Sequence, residues 1–235
     1  MLDLATLFFV AALVDTAGTL IFVILWSRNR GVPGLALLAL GMGVLALGIW
    51  LQMLRPLLPS TLGIIAANTG INLGHAIMLI AVSRMVGRPG PVLTATLGFL
   101  GVTAAFIYYA VVEPSNVVAR IIIVSLMIGT CLFGSGWQFF RAAPSASRVI
   151  HLALGGTVTV GGLFMYARAA LTWAQGHVAY MLTSHPIHIG ILMISIVIGF
   201  VYILGFVLLI SHRLQAQVDR LDSLDGMLNP IPPER

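Results

Sequence analysis

Apolar residues run along this chain in seven long stretches separated by polar breaks. The stretches cover about residues 4–27, 33–54, 61–83, 91–112, 117–140, 149–172 and 187–210. Each holds roughly 20 predominantly apolar residues or more, the length a helix rising 1.5 Å per residue needs to cross a ~30 Å hydrocarbon layer. None alternates apolar and polar positions, so a membrane β-barrel is not expected. The breaks carry helix-ending residues: Arg28-Asn29-Arg30-Gly31, Arg55-Pro56, Gly87-Arg88-Pro89-Gly90-Pro91, Glu113-Pro114, Arg141 to Pro144, and a longer segment from Gln175 to Pro186. The pattern predicts an all-α fold, a polytopic bundle of seven transmembrane helices over 1–210. Gly98 and Gly101 make the fourth span the weakest of the seven.

Past Ile210 the pattern changes. Leu214, Val218, Leu221 and Leu224 follow one another at spacings of four, three and three, which puts one apolar stripe on a helix continuous with the seventh span. We read 211–228 as a cytoplasmic helix of signalling type, with Leu214, Val218 and Leu221 as its output stripe for a second copy or a cytoplasmic partner. The plainer alternative is a helix lying along the inner leaflet. Consecutive prolines in Asn229-Pro230-Ile231-Pro232-Pro233 end the helix and leave 229–235 as a Pro-rich tail.

Composition agrees with lipid as the solvent. Charged residues make up 8% of the chain and hydrophobic ones 59%, against about 25% charged in a soluble domain. The mean hydropathy is +1.05. The net charge of +5 would raise the question of nucleic acid in a soluble protein. Here it follows from arginines gathered in the loops of one side, and no nucleic-acid partner is expected. Arg28 and Arg30, Arg84 and Arg88, Arg141 and Arg148, and Arg213 and Arg220 all fall on one side of the membrane, whereas the other side has Arg55 and Glu113. The positive-inside rule then places the N-terminus outside and the C-terminus in the cytoplasm. The first basic residue is Arg28, so the first stretch reads as a retained span and not a cleaved leader. Cys131 is the single cysteine, which excludes a disulfide framework and a cysteine metal site.

Polar residues inside the spans are the candidates for function, because each is costly in hydrocarbon and seeks the bundle interior. Asp15 lies about 16 Å along the first helix. Asn68, Asn72 and His75 fall at i, i+4 and i+7 on the third, on one face. His188, Ser195 and Tyr202 recur every seven residues on the last. Arg120 and Arg168 stand a few residues inside the outer ends of the fifth and sixth spans. Each can snorkel to the headgroups, or point inward above the polar stripe and receive a carboxylate or phosphate. The same polar residues can equally serve packing, through interhelical hydrogen bonds. His177, His185 and His188 cluster near the outer surface in numbers that suit zinc, but with no HExxH motif and no carboxylate or cysteine among them. His75 and His151 lie at different depths, which disfavours an axial heme pair, and no cofactor is expected. Glycines mark close packing: Gly34, Gly41 and Gly48 repeat every seven residues, and Ala66, Gly70 and Gly74 make two small-xxx-small steps.

The stretch Leu25-Trp26-Ser27-Arg28-Asn29-Arg30-Gly31-Val32-Pro33-Gly34, with Ala39-Leu40-Gly41, Leu54-Arg55, Leu58-Pro59, Ala67-Asn68 and Ser83-Arg84 to Gly87-Arg88-Pro89, resembles the N-terminal membrane module of bacterial GGDEF diguanylate cyclases and of some sensor histidine kinases. Arg220-Leu221-Asp222-Ser223-Leu224-Asp225-Gly226-Met227-Leu228-Asn229 is similar to the helix and D-x-L-T-G-x-x-N-R start of a GGDEF domain, although the Thr-Gly pair is absent and the spacing is short. The resemblance implies a multi-helix sensor that passes a signal into a cytoplasmic output domain. The cyclase body and its nucleotide and metal residues are not in the chain, so no catalysis is expected of it. The expected function is therefore a sensory module that binds a small molecule or lipid in the outer half of the bundle and signals through the seventh helix. The rivals are a lipid-modifying membrane enzyme, with metal at the outer histidines, and an ion-coupled transporter with Asp15 as its proton or cation site.

Overall fold

A computed structural model of the chain describes residues 4–144, 147–175 and 186–228. These residues form seven long helices and no strand: α1 (Leu4–Arg28), α2 (Leu35–Met53), α3 (Ser60–Met85), α4 (Val92–Val111), α5 (Val117–Ala142), α6 (Arg148–Gln175) and α7 (Pro186–Leu228). All seven are long and apolar enough to cross a membrane. The helix limits follow the polar breaks. A 3-10 turn, Arg55–Leu57, built on Pro56, joins α2 to α3. Gly34 supplies the left-handed residue before α2, at φ 82°, where an added Cβ would overlap the Ala81 carbonyl oxygen.

The helices close into a ring. α1 packs against α2 and α7, α2 against α3, α3 against α5, α5 against α6, and α6 against α7. α4 stands outside the ring, packed mainly on α3 and α5 among the described residues. It buries just Ala95, Phe106 and Ala110, whereas Leu93 is 73% exposed and Leu97 60%. Large apolar side chains also cover the outer faces of the ring helices, among them Leu20, Leu47, Leu163 and Val197. An apolar patch of that extent has no place in water, and with every spanning segment helical the backbone satisfies itself in lipid. The molecule is a multi-pass membrane protein.

The α2–α3 seam is built from the predicted glycine repeat. A Cβ on Gly48 would fall 2.6 Å from the Ile71 amide nitrogen, and one on Gly74 would fall 2.8 Å from both the nitrogen and the Cβ of Leu45. Lipid tails are as apolar as the side chains they would exchange for, so close backbone approach and not a hydrophobic force holds such a pair together.

The two ends of the bundle differ. One end carries Arg28, Arg30, Arg84, Arg88, Arg141, Arg148 and Arg213, and there the ring is filled. Phe22, Leu38, Met42, Val82, Phe139, Leu154, Phe206 and Leu209 interlock across α1, α2, α3, α5, α6 and α7. Phe206 meets Phe22, Phe139 and Tyr202 edge to face, with ring centroids 5.9, 5.7 and 4.6 Å apart. At the rim of this end Arg30 and Arg141 lie over the rings of Trp26 and Trp137 at 5.9 and 5.4 Å, the arrangement of an interfacial aromatic belt. Arg213 donates from Nη1 to the Met85 carbonyl at 2.6 Å, satisfying a free carbonyl at the end of α3 and tying α7 to it. α7 then continues without a break to Leu228, about 27 Å beyond Ile210. At the opposite end the described residues leave the ring unfilled.

Candidate functional site

The unfilled end holds a cavity of about 270 Å³ to which every helix contributes. Leu4 and Phe8 come from α1, Gln52 from α2, Asn68 from α3, Phe106 from α4, Arg120 from α5, Arg168 from α6, and Leu192 and Ser195 from α7. Arg55 enters from the 3-10 turn. Three guanidinium groups thus line one cavity, and its described lining includes no carboxylate.

Among the described residues no carboxylate neutralises these charges, and local structure shows why. Asn116 caps α5: its Oδ1 accepts from the Ala119 amide at 3.1 Å, as a helix N-terminus requires. The same loop carries Glu113, the acidic residue nearest Arg120 in the chain. Its carboxylate is taken up by its neighbours, accepting from the Tyr108 hydroxyl at 3.2 Å and from Asn116 Nδ2 at 3.3 Å. Arg120 finds a carbonyl instead, donating from Nη2 to Pro114 O at 3.0 Å. Its Nε is buried without a partner, as are Arg168 Nε and Gln52 Oε1. Burial, and secondly the charge of Arg120, hold the Arg55 guanidinium below its ordinary value. A guanidinium remains charged at any physiological pH, so the repulsion is borne by the fold and is relieved by an anion.

The structure brings together four of the residues expected at a site, Asn68, Arg120, Arg168 and Ser195, and adds Arg55 and Gln52. Asn68 donates from Nδ2 to the Ile64 carbonyl at 2.8 Å, which fixes its side chain on the wall. The other intramembrane polar residues lie elsewhere. Asp15 is buried at the α1–α7 seam, with Oδ1 3.8 Å from where a Cβ on Gly199 would stand. Asn72 is buried and not in the cavity wall, and its Oδ1 has no partner. His75 bonds through Nδ1 to the Ile71 carbonyl of its own helix at 2.8 Å. Tyr202 belongs to the filled core. The stripe Asn68, Asn72 and His75 therefore does not act as one wall, and the heptad of His188, Ser195 and Tyr202 contributes only Ser195 to the cavity among its described side chains.

No group of three metal-ligating side chains occurs among the described residues. His177 and His185 lie outside those residues, as does the side chain of His188. On the extension of α7, Leu214 packs back against the filled core, while Val218 and Leu221 are exposed. No family model matches the chain, and neither does any curated protein or solved structure.

Proposed function

We propose that this chain is a sensory module of a bacterial inner membrane that binds a small or amphiphilic anion, a carboxylate or a phosphate, at the outer end of the bundle. The observation that carries the reading is the convergence of Arg55, Arg120 and Arg168 on one cavity whose described lining has no acid. Arginine presents a planar fork of donors suited to carboxylate and phosphate, and in a partly desolvated site each charge-assisted bond is stronger than its equivalent in water. Unpartnered Nε atoms on two of the three arginines leave donors free for a guest.

The output side of the reading rests on α7. Leu192 and Ser195 touch the cavity, Gly199 lies against Asp15, and Tyr202 to Ile210 pass through the filled core. One continuous helix thus joins the ligand to the extension beyond Ile210. A change at Ser195 reaches Val218 and Leu221 as a shift or rotation of that helix, for a cytoplasmic output domain or a second copy to read. The chain itself binds and transmits, and catalysis belongs to the partner.

Calorimetric titration of the purified chain in nanodiscs with inorganic phosphate and with acetate tests the binding. Saturable binding is expected. Arg120→Gln, which keeps a polar side chain but removes the charge and the guanidinium fork, should weaken it at least tenfold, since a hydrogen bond to a charged group is worth about 1.5–3 kcal/mol. Equal affinity of the two proteins would remove the basis for the site.

A further inference from the structure

We infer that the ligand of this cavity is a single-chain amphiphile, one carboxylate or phosphate headgroup carrying one alkyl tail. The inference rests on the anion-receptor reading above. The lining changes character with depth. Arg55, Gln52 and Arg120 stand near the helix ends and Arg168 about two turns inside one, while the lining beyond them is mostly apolar, with Asn68 and Ser195 its polar members. On α5, Ile128 lies eight residues below Arg120, about 12 Å along the axis, with Val124 between them. Phe106 of α4 and Met165 of α6 complete this floor, joined with Val124 and Ile128 in one buried cluster. A site for a bare anion needs no such floor: water or polar groups would serve below the guanidiniums. Here the space under three cations is walled mostly by aliphatic and aromatic carbon, which an inorganic ion cannot use and a hydrocarbon tail can. A volume of about 270 Å³ is at the small end for ligand cavities and has room for one chain, not two.

The test is a series of n-alkyl phosphates from methyl to decyl, titrated into the full chain in phosphatidylcholine nanodiscs, with empty nanodiscs as the blank. Affinity is expected to rise about fourfold per methylene, the increment for burying one CH₂. The rise should stop once the tail reaches the end of the floor, whereas partition into the bilayer continues without a stop. Ile128→Phe and Met165→Phe should each bring the stop to shorter chains. Far-UV circular dichroism and the size-exclusion profile of both variants should match the parent's, which shows that they are folded. Affinity independent of chain length, with methyl phosphate still bound and still lost in Arg120→Gln, would overturn the amphiphile and leave the anion receptor standing. A rise with chain length that Arg120→Gln does not weaken would be bilayer partition and would also overturn it. Displacement of octyl phosphate by phosphatidylglycerol added to the nanodiscs would overturn the single-chain ligand in favour of a bilayer phospholipid. Failure of every phosphate to bind would end both readings.

Discussion

At the scale of single residues, the cavity is defined by what its arginines lack. A guanidinium within a membrane protein ordinarily meets a carboxylate, a backbone carbonyl or the headgroups. Arg120 has one carbonyl and an unpartnered Nε, Arg168 an unpartnered Nε, and Arg55 a neighbouring positive charge. The acid nearest Arg120 in the chain, Glu113, is engaged by Tyr108 and Asn116. This arrangement makes a statement about pH. The guanidiniums keep their charge across the accessible range, so any pH dependence comes from the guest. A phosphate monoester loses its second proton near pH 6. Its affinity should therefore rise severalfold between pH 5 and 7.5, as the dianion forms opposite three cations. An alkyl carboxylate is ionised throughout most of this window and should change little. Titrations of butyl phosphate and butyrate at a series of pH values check the difference. A phosphate affinity that falls with rising pH would mean that a protein group losing a positive charge controls binding, against the assignment to arginine.

At the scale of elements, the strongest constraint is close backbone approach. Gly48 sits so near Ile71 and Ala67 of α3 that a side chain there meets backbone atoms, which cannot yield as a flexible side chain can. Gly48→Leu should cost 1–3 kcal/mol or more, the usual scale of overpacking, and separate α2 from α3. Gly98→Leu is the control: nothing lies within 4 Å of its added Cβ, it faces away from the bundle, and it should be neutral or slightly stabilising through helix propensity. Thermal unfolding in detergent compares the two, and equal melting temperatures would refute the account of the seam. The elements themselves were legible in the sequence, since spans about 20 residues long bounded by Arg, Pro and Gly follow from the thickness of a bilayer. Even α4, weakened on paper by Gly98 and Gly101, forms a helix from Val92 to Val111. The site was legible only in part. Helical spacing placed Asn68, Asn72 and His75 on one face, but a face is wide. Asn72, four residues from Asn68, is buried outside the cavity lining, and His75 is satisfied by its own helix. Depth along a helix likewise says nothing about the neighbour at that depth, which is why Asp15 and Tyr202 joined other contacts. Arg55 was missed because an arginine between spans reads as a headgroup anchor. The signal that could have found it is its place with Arg120 and Arg168, on the side of the chain otherwise poor in arginine.

At the scale of the whole molecule, the described residues close the bundle at the arginine-rich end and leave it open at the other, and the proposed orientation puts the open end outside. Alkaline phosphatase fused after Ser115 should be active and fused after Arg88 inactive, and the reverse pattern would invert the molecule and place the cavity in the cytoplasm. The closed ring has a further consequence, for biogenesis. The ring is completed by contact between the first helix and the last. A chain made from its N-terminus therefore spends synthesis as an open arc, with the future cavity facing lipid and lacking its last wall. α4, held mainly by α3 and α5, gives that arc little help in closing. The wall arrives with α7, the same helix that continues into the extension beyond Ile210. On the proposed reading, ligand competence and the means of reporting it would thus be acquired in a single step, and an unfinished module would have neither a complete pocket to fill nor a helix with which to signal falsely.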